Sequence, residues 1–313
     1  MTTSVNRSVR YASAVLHRRR LSFPYAAPTV PGGVEAPPKA RKLGADYDTD
    51  WARRFPARFA RLALLEGVMR PAVAALGAPE RDGIDRLAGL TDGPVIFAGN
   101  HHSHLDTPVV LTSIPEPWRH RVFVGAAADY FFRTRITSAL SALVIGAIPI
   151  ERSKVTRRSA DQAASLILHG WSMLIFPEGG RSPDGWGQPF RGGAAYLASR
   201  CGVPVVPLHI EGTARILRKG AKVPTPANVR ITYGLPLHPA EGESAARFAE
   251  RIERAVAELA DEATTDWWQA RQRAAAGATP PLTGPAAPAW RRSWALGDRS
   301  RKRRRQARAW PKL

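Results

Sequence analysis

The sequence predicts an α/β fold, with a mostly parallel central sheet flanked by helices, an N-terminal amphipathic helix and disordered basic tails. From Pro94 onward, short apolar runs alternate with segments of helical periodicity, which is the pattern of consecutive strand–helix–strand units. Two polar motifs directly follow apolar runs, as binding loops do at the carboxyl ends of parallel strands. Both chain ends are rich in Pro, Ala and Arg without a sustained period, which is typical of disordered segments.

The individual elements follow from local composition. Short apolar runs between turn-forming residues predict strands, and longer amphipathic segments predict helices. Asp106, Thr107 and Pro108 predict a helix start, because proline is favoured in the first helical turn. The predicted strands are 95–98, 121–125, 147–150, 173–176, 203–210 and 229–233, and the further predicted helices are 130–144, 157–169, 193–200 and 245–260.

Four segments make up the predicted domain organisation. Residues 1–48 are a disordered, basic, Pro-rich tail, and residues 49–80 are an amphipathic helix that is a candidate membrane contact. Residues 81–263 are the α/β domain, which carries both polar motifs. Residues 264–313 are a second basic tail, rich in Ala, Pro, Arg and Trp.

The N-terminal helix is predicted to run from Trp51 to about Leu76. A basic amphipathic helix is suited to lying on a membrane surface, and packing against the domain is the alternative. Pro56 and Pro71 could each kink or split it. Its apolar residues at helical spacing are Phe55, Phe59, Leu62 and Met69, and its neighbouring basic face consists of Arg54, Arg58 and Arg61.

The net charge of +20 is concentrated at the two ends of the chain. Residues 1–42 carry +7 and residues 291–313 carry +9, which leaves +4 for the 248 residues between them. Such segments attract polyanions, either anionic lipid or nucleic acid. Because no base-reading motif accompanies the basic residues, we expect an anionic membrane surface as the partner and disfavour nucleic acid.

The chain has one cysteine, Cys201, so it cannot form an intramolecular disulfide, which fits a reducing compartment. Its N-terminal arginines precede Pro-rich sequence instead of the apolar stretch of a secretory signal. The best candidate for a membrane span, 136–150, has fifteen uncharged residues, fewer than the roughly twenty that a helical span needs. We therefore expect a cytoplasmic protein attached peripherally to the inner face of the cell membrane.

The first polar motif, Asn100 to Asp106, places a histidine five residues before a carboxylate. The imidazole of His101 could take a proton from an attacking hydroxyl, while Asp106 bonds the other ring nitrogen and fixes the tautomer. Two alternatives remain open. Asp106 could serve only to cap the helix that follows, or it could bind zinc together with His101, His102 and His104.

The second polar motif, Phe176 to Ser182, places a glutamate and an arginine around two glycines. Arg181, next to flexible backbone, is suited to holding a phosphate. Because a carboxylate would repel that phosphate, Glu178 is expected to orient an arginine or to bond an acceptor hydroxyl. Together the two motifs indicate acyl transfer to the hydroxyl of a phosphorylated acceptor.

Four ordered blocks resemble the PlsC-type glycerolipid acyltransferases, the family of 1-acylglycerol-3-phosphate acyltransferase. The resemblance covers roughly residues 80–240, and four blocks in this order are far more specific than any one. The first block also fits H-H-x-x-x-D, which resembles condensation domains and related CoA-dependent acyltransferases, but those folds are longer and have glycine in place of Thr107. The blocks are N-H-x-S-x-x-D at 100–106, G-x-I-x-I-x-R at 146–152, F-P-E-G-x-R-S at 176–182 and a proline-flanked strand at 203–208, with a further similar stretch at 190–193.

Two positions depart from the family pattern. Pro149 stands where the second block usually has an aromatic residue, and Gly180 replaces the threonine of the third block. The first change removes a backbone donor and an aromatic face, and the second removes a hydroxyl. Both could alter the choice of acceptor without touching the proton transfer.

The resemblance implies that His101 is the general base and Asp106 its partner. It implies direct attack by the acceptor alcohol in a ternary complex, with no acyl-enzyme and no metal or redox cofactor. The acyl donor would be acyl-CoA or an acyl carrier protein thioester. The residues expected to hold the acceptor are Ser103, Arg152, Glu178, Gly179 and Arg181.

The implied function is transfer of a fatty acyl group from a thioester to the free hydroxyl of a lysophospholipid, first of all 1-acylglycerol-3-phosphate to give phosphatidic acid. The same chemistry on glycerol 3-phosphate, another lysolipid or a glycolipid precursor is the alternative. A nucleic-acid-binding protein, suggested by the basic run 301–305, is a remote alternative because it leaves the core motifs unexplained.

Overall fold

The computed structural model describes residues 43–90, 93–151, 157–182, 186–217 and 223–284. The predicted disorder of residues 1–42 and 285–313 concerns parts of the chain outside these ranges. For residues 43–48 the predicted disorder is wrong, because Gly44–Asp46 forms a 3₁₀ helix and the ring of Tyr47 packs on Phe132. Within the described ranges, the strands are β1 (Glu80–Asp82), β2 (Ile96–Gly99), β3 (Val122–Ala127), β4 (Ala147–Ile150), β5 (Ser172–Ile175), β6 (Val205–Glu211) and β7 (Arg230–Tyr233).

Ten α-helices occur in the described ranges, with short 3₁₀ helices at Gly44–Asp46, Asp50–Arg53, Ile84–Leu87 and Arg119–Arg121. The helices are α1 (Ala57–Leu64), α2 (Arg70–Gly77), α3 (Asp106–Ser113), α4 (Ala128–Phe131), α5 (Arg135–Val144), α6 (Arg157–Leu168), α7 (Gly193–Cys201), α8 (Thr213–Ile216), α9 (Ala245–Thr264) and α10 (Trp267–Ala275).

One sheet contains these strands in the order β1-β7-β6-β2-β5-β3-β4. Neighbouring strands are parallel except β6 and β7, which are antiparallel. The predicted α/β fold with a mostly parallel central sheet is therefore confirmed. Pro149 lies on β4, an edge strand, where the missing N–H of proline costs least.

Both faces of the sheet are covered by helices, which explains why its central strands are apolar throughout. Successive residues of a strand enter opposite cores. Phe97 packs into the core beneath α3, whereas Ile96 and Ala98 pack into the core formed with α6, α7 and α9. Short apolar runs in the sequence therefore become strands buried on both sides.

The N-terminal helix begins at Ala57, not at Trp51 as predicted. A 3₁₀ helix, Asp50–Arg53, precedes it, and Pro56 stands at the helix boundary, where its missing N–H is tolerated. Pro71 does not split the helix. It is accommodated directly after a wider π-helical turn, Leu65–Met69, which joins α1 to α2.

Arg61 is not on an exposed basic face as predicted. Its side chain is buried, and its guanidinium donates to the carbonyl oxygen of Val122 at 2.7 Å. Burial lowers the pKa of Arg61 to about 10. The apolar side chains of Phe55, Phe59 and Leu62 are exposed instead. The segment thus packs on the domain through Arg61 and Leu65, whereas Arg54 and Arg58 stay exposed beside the outward-facing apolar residues.

Three further boundaries differ from the prediction. The segment 130–144 forms two helices, because Thr134 caps α5 by accepting the amide of Thr137 at 3.2 Å. Strand β1 was not predicted. The predicted basic tail from residue 264 is wrong for its first part, since α9 continues to Thr264 and α10 packs on it through an Arg273–Asp261 bond of 2.7 Å.

Candidate active site

The two polar motifs lie side by side at one rim of the sheet. The first follows β2 and the second follows β5, and these strands are parallel neighbours that pair Ile96 with Met173 and Ala98 with Ile175. Because their carboxyl ends point the same way, the loops at 100–106 and 176–182 meet, as predicted. The amide of Ser182 donates to the carbonyl of His101 at 2.8 Å, which joins the two loops.

His101 and Asp106 form a hydrogen-bonded pair. The imidazole Nδ1 is 2.9 Å from Oδ2 of the carboxylate, and Asp106 opens α3 with its side chain fully buried. An N–H at Nδ1 that donates to the carboxylate leaves the lone pair on Nε2. In this tautomer Nε2 is the nitrogen that can accept a proton, so the pair is suited to act as a general base.

Three further donors fix the carboxylate of Asp106. The amides of His102 and Ser103 donate to Oδ2 at 2.7 and 2.8 Å, and the hydroxyl of Thr213 donates to Oδ1 at 2.5 Å. The donors lie in the loop before α3 and on Thr213, so the carboxylate holds this loop and the His101 ring, and the alternative that Asp106 only caps α3 is wrong. Thr213 follows β6 and is 107 residues away in sequence, so no local pattern marks it as part of the site.

The ring of His101 is also held from the second motif. It stacks on Phe176 with centroids 4.3 Å apart and planes inclined by 13°. Behind it, the side-chain amide of Asn100 exchanges two hydrogen bonds of 2.8 Å with the backbone of Ile210. Asn100 therefore connects the end of β2 to β6, directly before His101.

Glu178 joins the two loops. Its Oε1 accepts the amide of His101 at 2.8 Å and its Oε2 accepts the amide of Gln188 at 2.9 Å. Burial raises the pKa of Glu178 to about 7, although the two backbone donors favour the carboxylate. Both oxygens of Glu178 thus accept a backbone amide, a role that the sequence did not predict, and its contact with an arginine or an acceptor hydroxyl stays a prediction.

A cavity of about 630 Å³ opens at this rim. Part of its wall is apolar and belongs to β3, β4, β5 and α4. Polar and basic side chains stand beside His101 at the same opening. Its apolar lining includes Val124, Ala126, Ala127, Phe131, Ile150 and Phe176, and its polar lining includes His101, His102, Arg181 and Arg191.

The structure brings together part of the predicted substrate-binding set. Gly179 and Arg181 line the cavity. Ser103 does not, because it is buried and its hydroxyl accepts the amide of Leu105 at 3.2 Å, so its expected contact with substrate is corrected. Arg152 lies outside the described residues.

Arg191 lines the cavity and was missed as a site residue. Gly179 has φ of +71°, and a Cβ added to it would lie 2.8 Å from the guanidinium carbon of Arg191. Glycine at 179 therefore permits both the left-handed backbone and the approach of the arginine. The resemblance at 190–193 was the signal that could have identified it. A Cβ at Gly180, by contrast, would meet no atom within 4 Å.

Among the residues that the structure describes, no three His, Cys, Asp or Glu side chains are arranged to hold a metal ion. The zinc alternative therefore has no support there. His101 bonds Asp106, and the ring of His104 stacks on Tyr130 with centroids 5.5 Å apart. None of the helices in the described ranges is both long enough and apolar enough to cross a membrane.

His209, a buried histidine on β6, predicts a pH dependence of stability. His209 is 9% exposed, and its Nδ1 has no hydrogen-bond partner. Burial, with a smaller contribution from His102, lowers its pKa from 6.5 to about 4. Because the folded-state pKa lies below the unfolded one, the neutral ring's contribution is complete above pH 6.5 and is lost as pH falls toward 4.

We expect His209→Leu to flatten the decline in stability between pH 6.5 and pH 4. At pH 8 its free energy of unfolding should stay within about 1 kcal/mol or rise, because an unsatisfied buried nitrogen disappears. Thermal melting from pH 8 to pH 4 measures both effects, with the exposed His169→Leu as the control. If the stability of His209→Leu declines between pH 6.5 and pH 4 as steeply as that of the unmodified protein, His209 is not the cause of this pH dependence.

Comparisons with known proteins agree with the site. Residues 81–211 match the family model described as Acyltransferase. A chloroplastic 1-acyl-sn-glycerol-3-phosphate acyltransferase from Brassica napus is 31% identical over 160 residues, which cover 50% of this chain and 44% of that protein. A 1-acyl-sn-glycerol-3-phosphate acyltransferase from Limnanthes alba is 37% identical over 146 residues, covering 46% and 50% respectively. The chain thus spans about half the length of these curated relatives.

Among solved structures, the 1-acyl-sn-glycerophosphate acyltransferase PlsC from Thermotoga maritima superposes with a TM-score of 0.54. The match has 24% sequence identity and covers 71% of this chain and 85% of that chain, which shows a shared fold.

The fold and the site define an α/β protein with a histidine–aspartate pair at the mouth of a largely apolar cavity. Residues 81–211 match the Acyltransferase family model, and the chain is similar to 1-acyl-sn-glycerol-3-phosphate acyltransferases over about half of their length.

Proposed function

We propose that the protein transfers a fatty acyl group from a thioester to the free hydroxyl of 1-acylglycerol-3-phosphate, forming phosphatidic acid. The observation that carries this proposal is the 2.9 Å bond between His101 and Asp106 at the opening of the cavity. The Brassica napus and Limnanthes alba relatives are 1-acyl-sn-glycerol-3-phosphate acyltransferases, which supports this acceptor.

In the proposed reaction, Nε2 of His101 takes the proton of the acceptor hydroxyl as its oxygen attacks the thioester carbonyl carbon. A C–O bond forms and the C–S bond breaks, so the sulfur leaves as a thiolate. The imidazolium, stabilised by Asp106, returns the proton to the sulfur and yields a free thiol. The step needs no enzyme nucleophile, metal or redox cofactor, and turnover should persist in a chelating buffer.

The cavity wall supports the choice of substrates. Its apolar part, with Ala126, Phe131 and Ile150, offers a surface on which a hydrocarbon chain loses contact with water. Arg181 and Arg191 offer guanidinium groups to the acceptor phosphate or to the phosphates of an acyl-CoA or acyl carrier protein donor. Glu151 also lines the cavity, so one carboxylate accompanies these guanidinium groups at the opening.

The decisive test is turnover of purified protein with labelled acyl-CoA or acylated carrier protein and a panel of acceptors. The panel contains 1-acylglycerol-3-phosphate, glycerol 3-phosphate, other lysolipids and a glycolipid precursor. We expect the highest kcat/KM with 1-acylglycerol-3-phosphate. Higher kcat/KM with another acceptor would move the proposal to that substrate, and no transfer to any would end it.

We also propose that the protein works at the inner face of the cell membrane, held by an apolar surface beside the cavity. Helices α1 and α5 pack against each other, and α4, which lines the cavity, leads directly into α5. Exposed aromatic and aliphatic groups on adjacent helices are suited to the lipid interface. The exposed residues are Phe55 (86%), Phe59 (66%), Ile136 (73%) and Leu140 (55%).

Replacing Phe55 and Phe59 together by serine should weaken binding to anionic vesicles by about tenfold or more, because burying each ring contributes on the order of 1 kcal/mol or more. Folding should be unaffected, since both rings are exposed. Vesicle sedimentation measures the effect, and Val223→Ser, which changes an equally exposed side chain before β7, is the control. Equal binding of the double variant and the control would refute this surface.

The basic segments 1–42 and 285–313 are proposed to add electrostatic attraction to anionic lipid of about 1 kcal/mol per basic side chain near the surface. Deleting residues 1–42 and 285–313 leaves the described chain and should reduce sedimentation with vesicles. A gel-shift assay at matched salt separates lipid from nucleic acid. Tighter binding to nucleic acid than to vesicles would favour the remote alternative.

A further inference from the structure

The described C-terminal segment returns to the loop that follows the second motif. After α10 ends at Ala275, residues 276–284 run back toward Trp186 and Gly187. The amide of Gly187 donates to the carbonyl oxygen of Leu282 at 2.9 Å. Gly187 lies within residues 81–211, the part of the chain that matches the family model, whereas Leu282 lies outside it.

Two glycines allow the segment and the loop to approach closely. Gly284 is buried with φ of +78°, and a Cβ added to it would lie 2.4 Å from the indole ring of Trp186. A Cβ added to Gly187 would lie 3.1 Å from the Cβ of Leu282. The indole therefore rests directly on the backbone at residue 284, and side chains at either glycine would separate the two segments.

From this loop, two routes of hydrogen bonds reach the catalytic histidine. On one route, the hydroxyl of Ser182 donates to the carbonyl of Trp186 at 2.7 Å, and the amide of Ser182 donates to the carbonyl of His101 at 2.8 Å. On the other, the amide of Gln188 donates to Glu178, which accepts the amide of His101. Both routes end on the backbone of residue 101.

We propose that residues 278–284 are a positioning segment of the active site. By holding Trp186 and Gly187 in place, the segment fixes Ser182 and Gln188, and through them the backbone that carries the His101 ring. A displacement of catalytic groups by about 1 Å can reduce the rate about a hundredfold. The chain's catalytic unit therefore extends to Gly284. The inference rests on the proposed acyl transfer for its kinetic part.

A matched pair of glycine variants tests the proposal in the full chain. Gly284 and Gly277 both have positive φ, +78° and +66°, but a Cβ at Gly277 would meet no atom within 4 Å. Alanine at either position carries a similar backbone strain, so the difference isolates the contact with Trp186. We expect Gly284→Ala to lower kcat by about ten- to a hundredfold with little change in KM, and Gly277→Ala to retain kcat.

A pair of truncations provides a second comparison. Chains ending at Gly277 and at Gly284 both lack residues 285–313, so a difference between them belongs to residues 278–284. We expect the shorter chain to show the lower kcat in detergent-dispersed substrate and the same helical signal. Equal kcat of the two truncated chains, or of the two glycine variants, would overturn the proposal.

Hydrogen exchange, measured without substrate, keeps the inference separate from the function. We expect faster exchange at the amides of Gly187, Gln188 and His101 in Gly284→Ala than in Gly277→Ala. If the unmodified chain acylates no acceptor while these amides respond, the proposed function fails and the positioning contact stands. Unchanged exchange at all three amides would overturn the contact itself.

Discussion

His101→Ala should reduce kcat by about 10²–10⁴-fold, the range that a positioned general base contributes. The KM for both substrates should change little, because the imidazole acts on the proton that moves in the transition state and not on a group that binds substrate. The measurement is steady-state transfer from labelled acyl-CoA to 1-acylglycerol-3-phosphate.

His120→Ala is the matched control for this experiment. His120 contacts Glu66 and Glu116, on a part of the domain that does not line the cavity, so its loss should leave kcat within about twofold. Thermal melting of both variants shows whether a loss of activity reflects unfolding. Transfer that continues at the normal rate in a folded His101→Ala would remove this residue as the base.

Asp106→Asn should have an effect of similar size, about 10²–10⁴-fold on kcat. The carboxamide has one acceptor oxygen where the carboxylate has two. The site presents four donors, from the His101 ring, the His102 and Ser103 amides and the Thr213 hydroxyl. A carboxamide nitrogen facing Nδ1 would favour the tautomer with its proton on Nε2, which cannot accept the proton of the acceptor.

The stability of Asp106→Asn should fall by about 1–3 kcal/mol for each buried donor that loses its acceptor. Thr213→Val separates the two effects, because it removes only the bond to Oδ1 and leaves the His101 contact unchanged. We expect Thr213→Val to lose less activity than Asp106→Asn in kcat measurements over pH. Activity of Asp106→Asn within about threefold of the parent would contradict the role of the carboxylate.

The central strands of the sheet were predictable because they are short, apolar and buried on both faces, whereas the charged, exposed edge strand β1 carries no such signal. Ile96 and Phe97 are neighbours on β2 and enter opposite cores, so this strand appears in the sequence as a continuous apolar run. Helix boundaries were harder, because they depend on contacts across the chain. Arg61 looks like part of a basic surface in sequence, yet it is buried because the carbonyl of Val122 lies within reach.

The site residues divide in the same way. His101 and Asp106 are close in sequence, so their pairing follows from a local motif. For Glu178 the sequence identified the loop but not the two backbone partners, the amides of His101 and Gln188. Backbone amides carry no residue-type signal, so such a contact is invisible until the loops are seen together.

The sequence by itself determined the α/β architecture, the order of the strands β2 to β7 along the chain, and the histidine–carboxylate pair, because each rests on periodicity or on neighbours within a few residues. Only the tertiary structure decided that Thr213 completes the carboxylate's hydrogen bonds, that Glu178 joins two loops, and that Gly284 packs against Trp186. These contacts join segments separated by about a hundred residues, and the folding of the sheet sets their distances.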